Sequence, residues 1–437
     1  MNYRAWLCGA VSACALGFAA HAETITIATV NNGDMIRMQK LTDDFTKDHP
    51  DIQLEWVTLE ENVLRQRVTT DIATKGGQYD VMTIGNYEVP IWGKQGWLMA
   101  LDDLPAGYDR ADLLPAIAGG LSVEGKLYAV PFYGESAMLM YRTDLAEKAG
   151  IKMSDQPTWT DIKAAAKAMT DKDNEVYGIC LRGKAGWGEN MAFLTAMSNS
   201  YGARWFDMDW KPQFDSPEWK ATLTDYLDMM KTYGPPGASS NGFNENLALF
   251  QQGKCGMWID ATVAASFVTN AKDSTVADSV GFAQFPNKDG VDNHGNWLWS
   301  WNLAIPASTK KADAAKAFVA WATSRHYTEL VAASEGWAAS PPGTRTSLYE
   351  NPEYQKAAPF AKMTLDAINS VDTKKPSVQE VPYTGGQFVS IPEFQGIGTA
   401  VGQLFSAALA GNMSADQALQ AAQALTSREM TKAGYIK

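Results

Sequence analysis

From Glu23 onward, extended stretches alternate with amphipathic helical ones, and that alternation constrains the fold before any single residue does. Thr24–Val30 alternates small polar and apolar residues as a strand does. Met38, Leu41 and Phe45 then recur at helical spacing, and His49-Pro50 ends that helix, because the residue before proline avoids the helical region. Ile52, Leu54 and Trp56 alternate as a second strand. Leu64, Val68 and Ile72 mark one helical face closed by Gly76-Gly77, and Tyr79–Ile84 is a third strand. Strands threaded by helices predict an α/β fold with a mostly parallel sheet.

The pattern continues. Strands are expected at Leu127–Tyr133, Ala137–Tyr141, Tyr177–Leu181, Gly256–Asp260 and Asn296–Ile305. Helices are expected at Ile162–Met169, Met191–Ser200, Trp219–Thr232 and Ala312–Thr323. Thr158–Asp161 reads as a capping box and Ser414–Gln417 as another before a last helix. Tyr233–Gly242 and Gly336–Arg345 are rich in Gly and Pro and read as irregular. At 437 residues, the length suits two or three domains or one two-lobed body.

The first residues are of another kind. Met1–Arg4 is a short basic head, Ala5–Ala20 is almost wholly apolar, and Ala20-His21-Ala22 offers small residues at a break. This reads as a secretory signal over residues 1–22 rather than a spanning helix. Val11-Ser12-Ala13-Cys14 is a competing lipoprotein box, but a cut there leaves the apolar stub Ala15–Ala20 on the mature chain. Export leaves Cys180 and Cys255, and an oxidising compartment favours one disulfide over two buried thiols. The net charge of −12 disfavours a nucleic-acid or anionic-membrane binder.

Catalytic and metal motifs do not carry the chain. His49, His294 and His326 have no metal spacing, and no G-x-S-x-G turn occurs. Ser308–Lys311 matches S-x-x-K without companion motifs, and Gly290–Gly295 is followed by Asn296 where a phosphate loop needs Lys. Asp171–Glu175 lacks the Gly and closing Glu of a calcium loop. No metal and no cofactor are expected. A glycosidase carboxylate pair stays open among so many acids.

What stands out is a repeated composition after predicted strands, where open α/β sheets bind ligands. Asn31 and Asn32 follow the first strand; Asn86, Tyr87 and Glu88 follow Tyr79–Ile84. Tyr133 and Glu135, then Arg182, Trp187 and Asn190, then Asp260 and Thr262 follow later ones. Among 15 tryptophans, Trp297, Trp299 and Trp301 sit at a period of two, sharing one face of an extended segment. Trp337 and Arg345, in the irregular segment, are further candidates. Each has a plainer reading: core packing for the tryptophans, helix caps for Asn31, Asn32 and Asp260, a surface ion pair for Glu135. Together, acceptor carboxylates, amide donors and flat aromatic walls suit a neutral, hydroxyl-rich ligand.

Four stretches carry a resemblance: Ile25–Gly33, GGQYDVMTIG ending at Gly85, LYAVPFYGESAMLMYRTDL over Leu127–Leu145, and GNWLWSWNLAIPASTKKADAAKAFVA over Gly295–Ala320. In order and spacing they resemble the extracellular solute-binding proteins of sugar ABC transporters, over essentially the whole mature chain. Glu60–Pro90 is most similar to members that bind linear sugar alcohols such as mannitol, sorbitol or arabitol. The resemblance implies a two-lobed periplasmic-binding-protein fold (type II, a Venus flytrap) with mostly parallel sheets, helices on both faces and three hinge crossings, near Phe132, Trp301 and Ala338–Pro342. The implied lobes are 23–131 plus 301–338 and 132–300 plus 339–437. It implies a periplasmic receptor delivering a polyol or small sugar to ABC permease subunits in the inner membrane, a monomer that binds no nucleic acid and is not an enzyme. By position it offers Asn31, Asn32, Asn86, Tyr87, Glu135, Trp187, Asp260 and Trp299 as contacts. Val263 stands where oligosaccharide-binding members carry a stacking Trp, which favours a smaller guest. The alternatives are an exported carbohydrate hydrolase or lyase, and an adhesin or sensor partner.

Overall fold

The structure is a computed structural model that describes residues 22–293 and 295–437. The secretory segment and His294 lie outside the described residues, apart from Ala22 at the end of that segment. Among the described residues ten strands are formed: β1 Glu23–Val30, β2 Ile52–Leu59, β3 Val81–Gly85, β4 Ser122–Val123, β5 Lys126–Leu127, β6 Val130–Glu135, β7 Ala137–Arg142, β8 Met257–Ala261, β9 Val280–Gln284 and β10 Trp299–Ala304. Five make a large sheet in the order β2-β1-β3-β10-β6, and three make a small sheet in the order β8-β7-β9. β4 and β5 form a separate hairpin.

Local chemistry explains the large sheet. β1 pairs in parallel with β2 (Ile25 beside Leu54, Ile27 beside Trp56) and with β3 (Ile27 beside Val81). Parallel neighbours need crossovers, supplied by helices after β1 and β2. Asn32 caps the first helix, its Oδ1 accepting from Met35 N at 3.0 Å. The expected helix through Met38 and Phe45 is two, Gly33–Lys40 and Thr42–Asp48, because Leu41 leaves helical geometry (ψ 2°). Glu60 caps helix Glu61–Thr74 by accepting from the backbone of Asn62 and Val63. Both expected capping boxes form, at Thr158 and Ser414.

The expectation of mostly parallel sheets needs correction. β10 runs antiparallel to β3 and β6, so four of the five large-sheet strands share one direction. The small sheet is antiparallel throughout, because β7 pairs with β8 and β9 in opposite directions. Periodicity reports that a segment is extended, not which way its partner runs. Tyr177–Leu181 is likewise not a strand. It makes single bridges, Tyr177 to Cys255 and Cys180 to Trp258. The Cys180–Cys255 disulfide joins that segment to the approach to β8, with a Cα–Cα distance of 5.9 Å.

The chain passes between the sheets at laced points. β6 ends at Glu135 in the large sheet and β7 begins at Ala137 in the small one. Between them Ser136 Oγ donates to Trp297 O at 2.7 Å. The return path, between β9 and β10, is tied to the first: Asn296 accepts from Ala137 N and donates to Ala137 O, both at 3.0 Å. A third segment touches β6 where Gly134 N donates to Pro342 O at 2.9 Å. There Gly343 has φ +67°, and a Cβ on it would lie 2.1 Å from Gly134 O, so glycine is required. Beyond it, helix Ala361–Ser370 packs on β6, β7 and β9, and helices Phe394–Leu409 and Ala415–Lys432 pack on helix Pro217–Tyr233. The large sheet buries Ile25, Ile27, Val81 and Phe318; the other core gathers Trp205, Trp219, Phe394 and Phe405.

Candidate functional site

The C-terminal ends of β1 and β6 and the start of β10 face residues 182–189 and 243–245 across a cleft whose unfilled space, open solvent at its mouth included, is about 620 Å³. From the large-sheet side come Asn31, Asn32, Glu61, Arg65, Tyr133, Glu135, Trp299 and Trp301. From the other side come Arg182, Lys184, Glu189, Phe243, Asn244 and Glu245, with Gln387. Three contacts bridge the walls: Lys184 Nζ to Glu60 Oε1 at 2.6 Å, Asn244 Nδ2 to Asn31 O at 3.0 Å, and Asn62 Nδ2 to Ala185 O at 3.3 Å.

Glu135 is the last residue of β6, paired with Trp299 of β10. Its side chain is buried, and among the described residues no donor reaches its carboxylate. Burial pushes its carboxyl well above the ordinary range; Arg182 pulls it down, while Asp260, Glu61 and Asp34 push it up. Beside it the Tyr133 hydroxyl accepts from Asn32 Nδ2 at 3.0 Å and keeps its own proton to donate. Asn32 therefore does two jobs, capping a helix and holding Tyr133.

Arg65 forms the centre of the other edge. Its guanidinium carbon lies 4.0 Å from the Trp187 ring, 4.6 Å from Trp301 and 4.8 Å from Trp299. Its nitrogens reach Glu61 at 2.7 and 3.1 Å and Glu88 at 3.3 Å. Trp299 and Trp301 meet edge to face at 5.4 Å. Their shared placement follows from the period of two, and Gly85 leaves room for it. A Cβ at Gly85 would fall 1.9 Å from the Trp299 ring. Gly85→Ala is therefore expected to displace that indole and weaken ligand binding by about tenfold or more, measured by calorimetry on the folded variant.

Several expected site residues lie elsewhere. Asp260 is fully buried behind the wall, its oxygens accepting from Arg182 at 2.7 and 2.9 Å, Trp258 Nε1 at 3.1 Å and Ala261 N at 2.7 Å. Its lone pairs are committed, so it aims Arg182 rather than meeting a guest. Trp187 and Tyr87 pack against each other beside the site, ring centroids 4.8 Å apart and planes tilted by 54°, and the Tyr87 hydroxyl donates to Ile391 O at 2.7 Å. Asn86 donates to Leu298 O at 3.3 Å, outside the cleft lining. Trp297 is buried core. Arg345 is furthest from expectation: it is buried near Asp112, donating to Tyr108 O at 2.9 Å and Thr323 O at 3.0 Å, and it pins segments of the large-sheet side. A guanidinium so occupied has no donor left for a ligand.

Sequence reasoning did not single out Arg65, Glu61, Lys184, Glu189, Phe243, Asn244, Glu245 or Gln387. Glu61 and Arg65 sit four apart on a helix, the spacing of an ordinary solvent pair. Glu189 faces Glu61, Arg182 and Lys184, and burial followed by repulsion from Glu61 pushes its carboxyl to about 8.

A sequence profile of bacterial extracellular solute-binding proteins matches residues 32–329. The chain belongs to this family. It is 57% identical over 438 residues to a mannitol-binding protein of Pseudomonas aeruginosa, covering 100% of both chains. It also matches a solute-binding protein structure from Agrobacterium vitis S4 with bound D-mannitol: 73% identity, TM-score 0.94, 95% of this chain and 100% of that one covered. A solute-binding protein from Agrobacterium radiobacter K84 in complex with ribitol shares the fold at 24% identity, with a TM-score of 0.82 over 94% of this chain and 99% of that one. The fold is the two-lobed α/β fold of these solute-binding proteins, as the resemblance implied.

Proposed function

We propose that this protein is the exported receptor of an ABC importer, binding a linear polyol of the mannitol type between two lobes and handing it intact to a membrane permease. The observation that carries the reading is the unpartnered Glu135 carboxylate beside the Tyr133 hydroxyl and under the Trp299–Trp301 wall. The Glu135 carboxylate accepts and the Tyr133 hydroxyl can donate, so a guest whose oxygens both donate and accept fits the cleft. Every oxygen of an open-chain polyol is a hydroxyl, whereas a sugar ring oxygen only accepts. Trp faces cover the C–H edges of such a chain. The two mannitol-linked relatives, which match at 57% and 73% identity, support the same guest.

In this reading the lobes divide where the chain changes sheet, at Ser136, between Gln284 and Trp299, and beside Pro342–Gly343. Residues 1–22 are removed on export. The guest acts by binding the closed arrangement better than the open one, since a ligand shifts such an equilibrium only by its differential affinity. Lys184–Glu60 and Asn244–Asn31 are the contacts that closure makes. Water exclusion then strengthens each hydrogen bond to the guest.

Calorimetry with D-mannitol tests this. Glu135→Gln and Trp299→Ala are each expected to weaken binding at least about tenfold, with folding intact by circular dichroism; hydrogen bonds to a charged group contribute about 1.5–3 kcal/mol. Unchanged affinity in both variants overturns the site. Reducing ends released from oligosaccharides on long incubation overturn the receptor reading in favour of a hydrolase.

A further inference from the structure

The cleft has an uneven charge inventory. Five acidic side chains line it (Glu60, Glu61, Glu135, Glu189, Glu245), with burial pushing up the carboxyls of Glu135 and Glu189, against three cations among the described residues. Each cation already has an acidic partner. Arg182 gives two nitrogens to Asp260 and a third to Gly188 O at 2.9 Å. Arg65 is shared between Glu61 and Glu88 and covered by three indole rings. Lys184 lies 2.6 Å from Glu60 and 3.6 Å from Glu189. Among the described residues, Glu189 Oε2 and Gln387 Oε1 have no hydrogen-bond partner, and no cation or donor reaches the carboxylate of Glu135, which is only 5% exposed and lines the cleft.

We infer that the cleft selects by charge, accepting linear polyols that carry a terminal ammonium and rejecting the oxidised polyols that carry a carboxylate. This rests on the polyol reading and extends it to amino-alditols, a ligand class beyond neutral hexitols. An ammonium offers three donors beside the unpartnered Glu135 carboxylate, to which no cation makes a direct contact among the described residues. Burial holds the Glu135 carboxyl above its ordinary range, and a bound cation reverses that by stabilising the charged form. A carboxylate on the guest meets Glu60, Glu61 and Glu245 and cations that already have acidic partners, and like charges brought together in a dry site are strongly disfavoured.

The experiment is isothermal titration of the mature protein, at neutral pH and low salt, with D-mannitol, 1-amino-1-deoxy-D-mannitol and D-mannonate. The amino-hexitol is expected to bind within about tenfold of mannitol or more tightly, and mannonate at least about a hundredfold more weakly. In Glu135→Gln the preference for the amino-hexitol over mannitol falls by about tenfold, a ratio that mere loosening of the fold leaves alone. Mannonate binding like mannitol, an amino-hexitol that gives no heat while mannitol does, or an unchanged ratio in Glu135→Gln overturns the inference and leaves the polyol reading standing. An absence of heat from mannitol overturns the polyol reading. In that case amino-hexitol binding with mannonate refused still supports charge selection, and an absence of heat from the amino-hexitol too overturns both.

Discussion

Arg65→Leu weakens polyol binding by about a hundredfold or more, the largest loss expected of any single change in the cleft. The guanidinium is a keystone rather than a lone contact. It lies against Trp187, Trp299 and Trp301 at 4.0 to 4.8 Å and pairs with Glu61 and Glu88. Removing it strands Glu88, which is 2% exposed and whose carboxyl burial already pushes upward against the pull of Arg65. Breaking such a buried pair costs about 3–5 kcal/mol. The indoles then lose the cation that fixes their spacing, so the wall and the Glu61 acceptor move together. Arg65→Lys restores the charge but not the planar fork, and is expected to recover folding more than affinity. Calorimetry and thermal unfolding on both variants check this. Parental affinity in Arg65→Leu refutes it.

Asp260→Ala destabilises the fold by about 3–5 kcal/mol, read from urea unfolding, because it leaves Arg182 buried without its carboxylate. Asp260 is fully buried and holds Arg182 through two short contacts while accepting from Trp258 and Ala261. The freed guanidinium is drawn toward Glu189, 3.7 Å away, and toward Glu135, so affinity falls along with stability. Asp260→Asn keeps the shape and some hydrogen bonds, and loses less. A loss under about 1 kcal/mol in Asp260→Ala contradicts a role in aiming Arg182.

How much of this the sequence could reveal depended on range. Alternation located β1 to within a residue and β2 and β3 to within two or three, β3 being a short apolar run buried on both faces rather than an alternating one. Glu135, Tyr133, Trp299 and Trp301 were legible because they sit at strand ends, where such sheets open. Asp260 and Trp187 were placed one layer too far forward. Sequence gives the loop a residue belongs to, not whether its side chain faces the cleft or the residue behind it. Arg345 was misplaced for a related reason: a polar residue in an irregular segment looks available until its acceptors, Tyr108 and Thr323, come from elsewhere in the chain. Arg65 and Glu61 imitate a solvent-exposed helical pair, and only tertiary packing of three indoles reveals otherwise. The antiparallel small sheet was invisible because strand direction depends on which neighbour a strand finds.

The account turns on two bodies closing around an uncharged open-chain polyol. Small-angle scattering of the mature protein titrated with D-mannitol measures that directly. The radius of gyration is predicted to fall and to saturate at the same mannitol concentration as the calorimetric signal. A radius that stays constant while mannitol demonstrably binds contradicts the account.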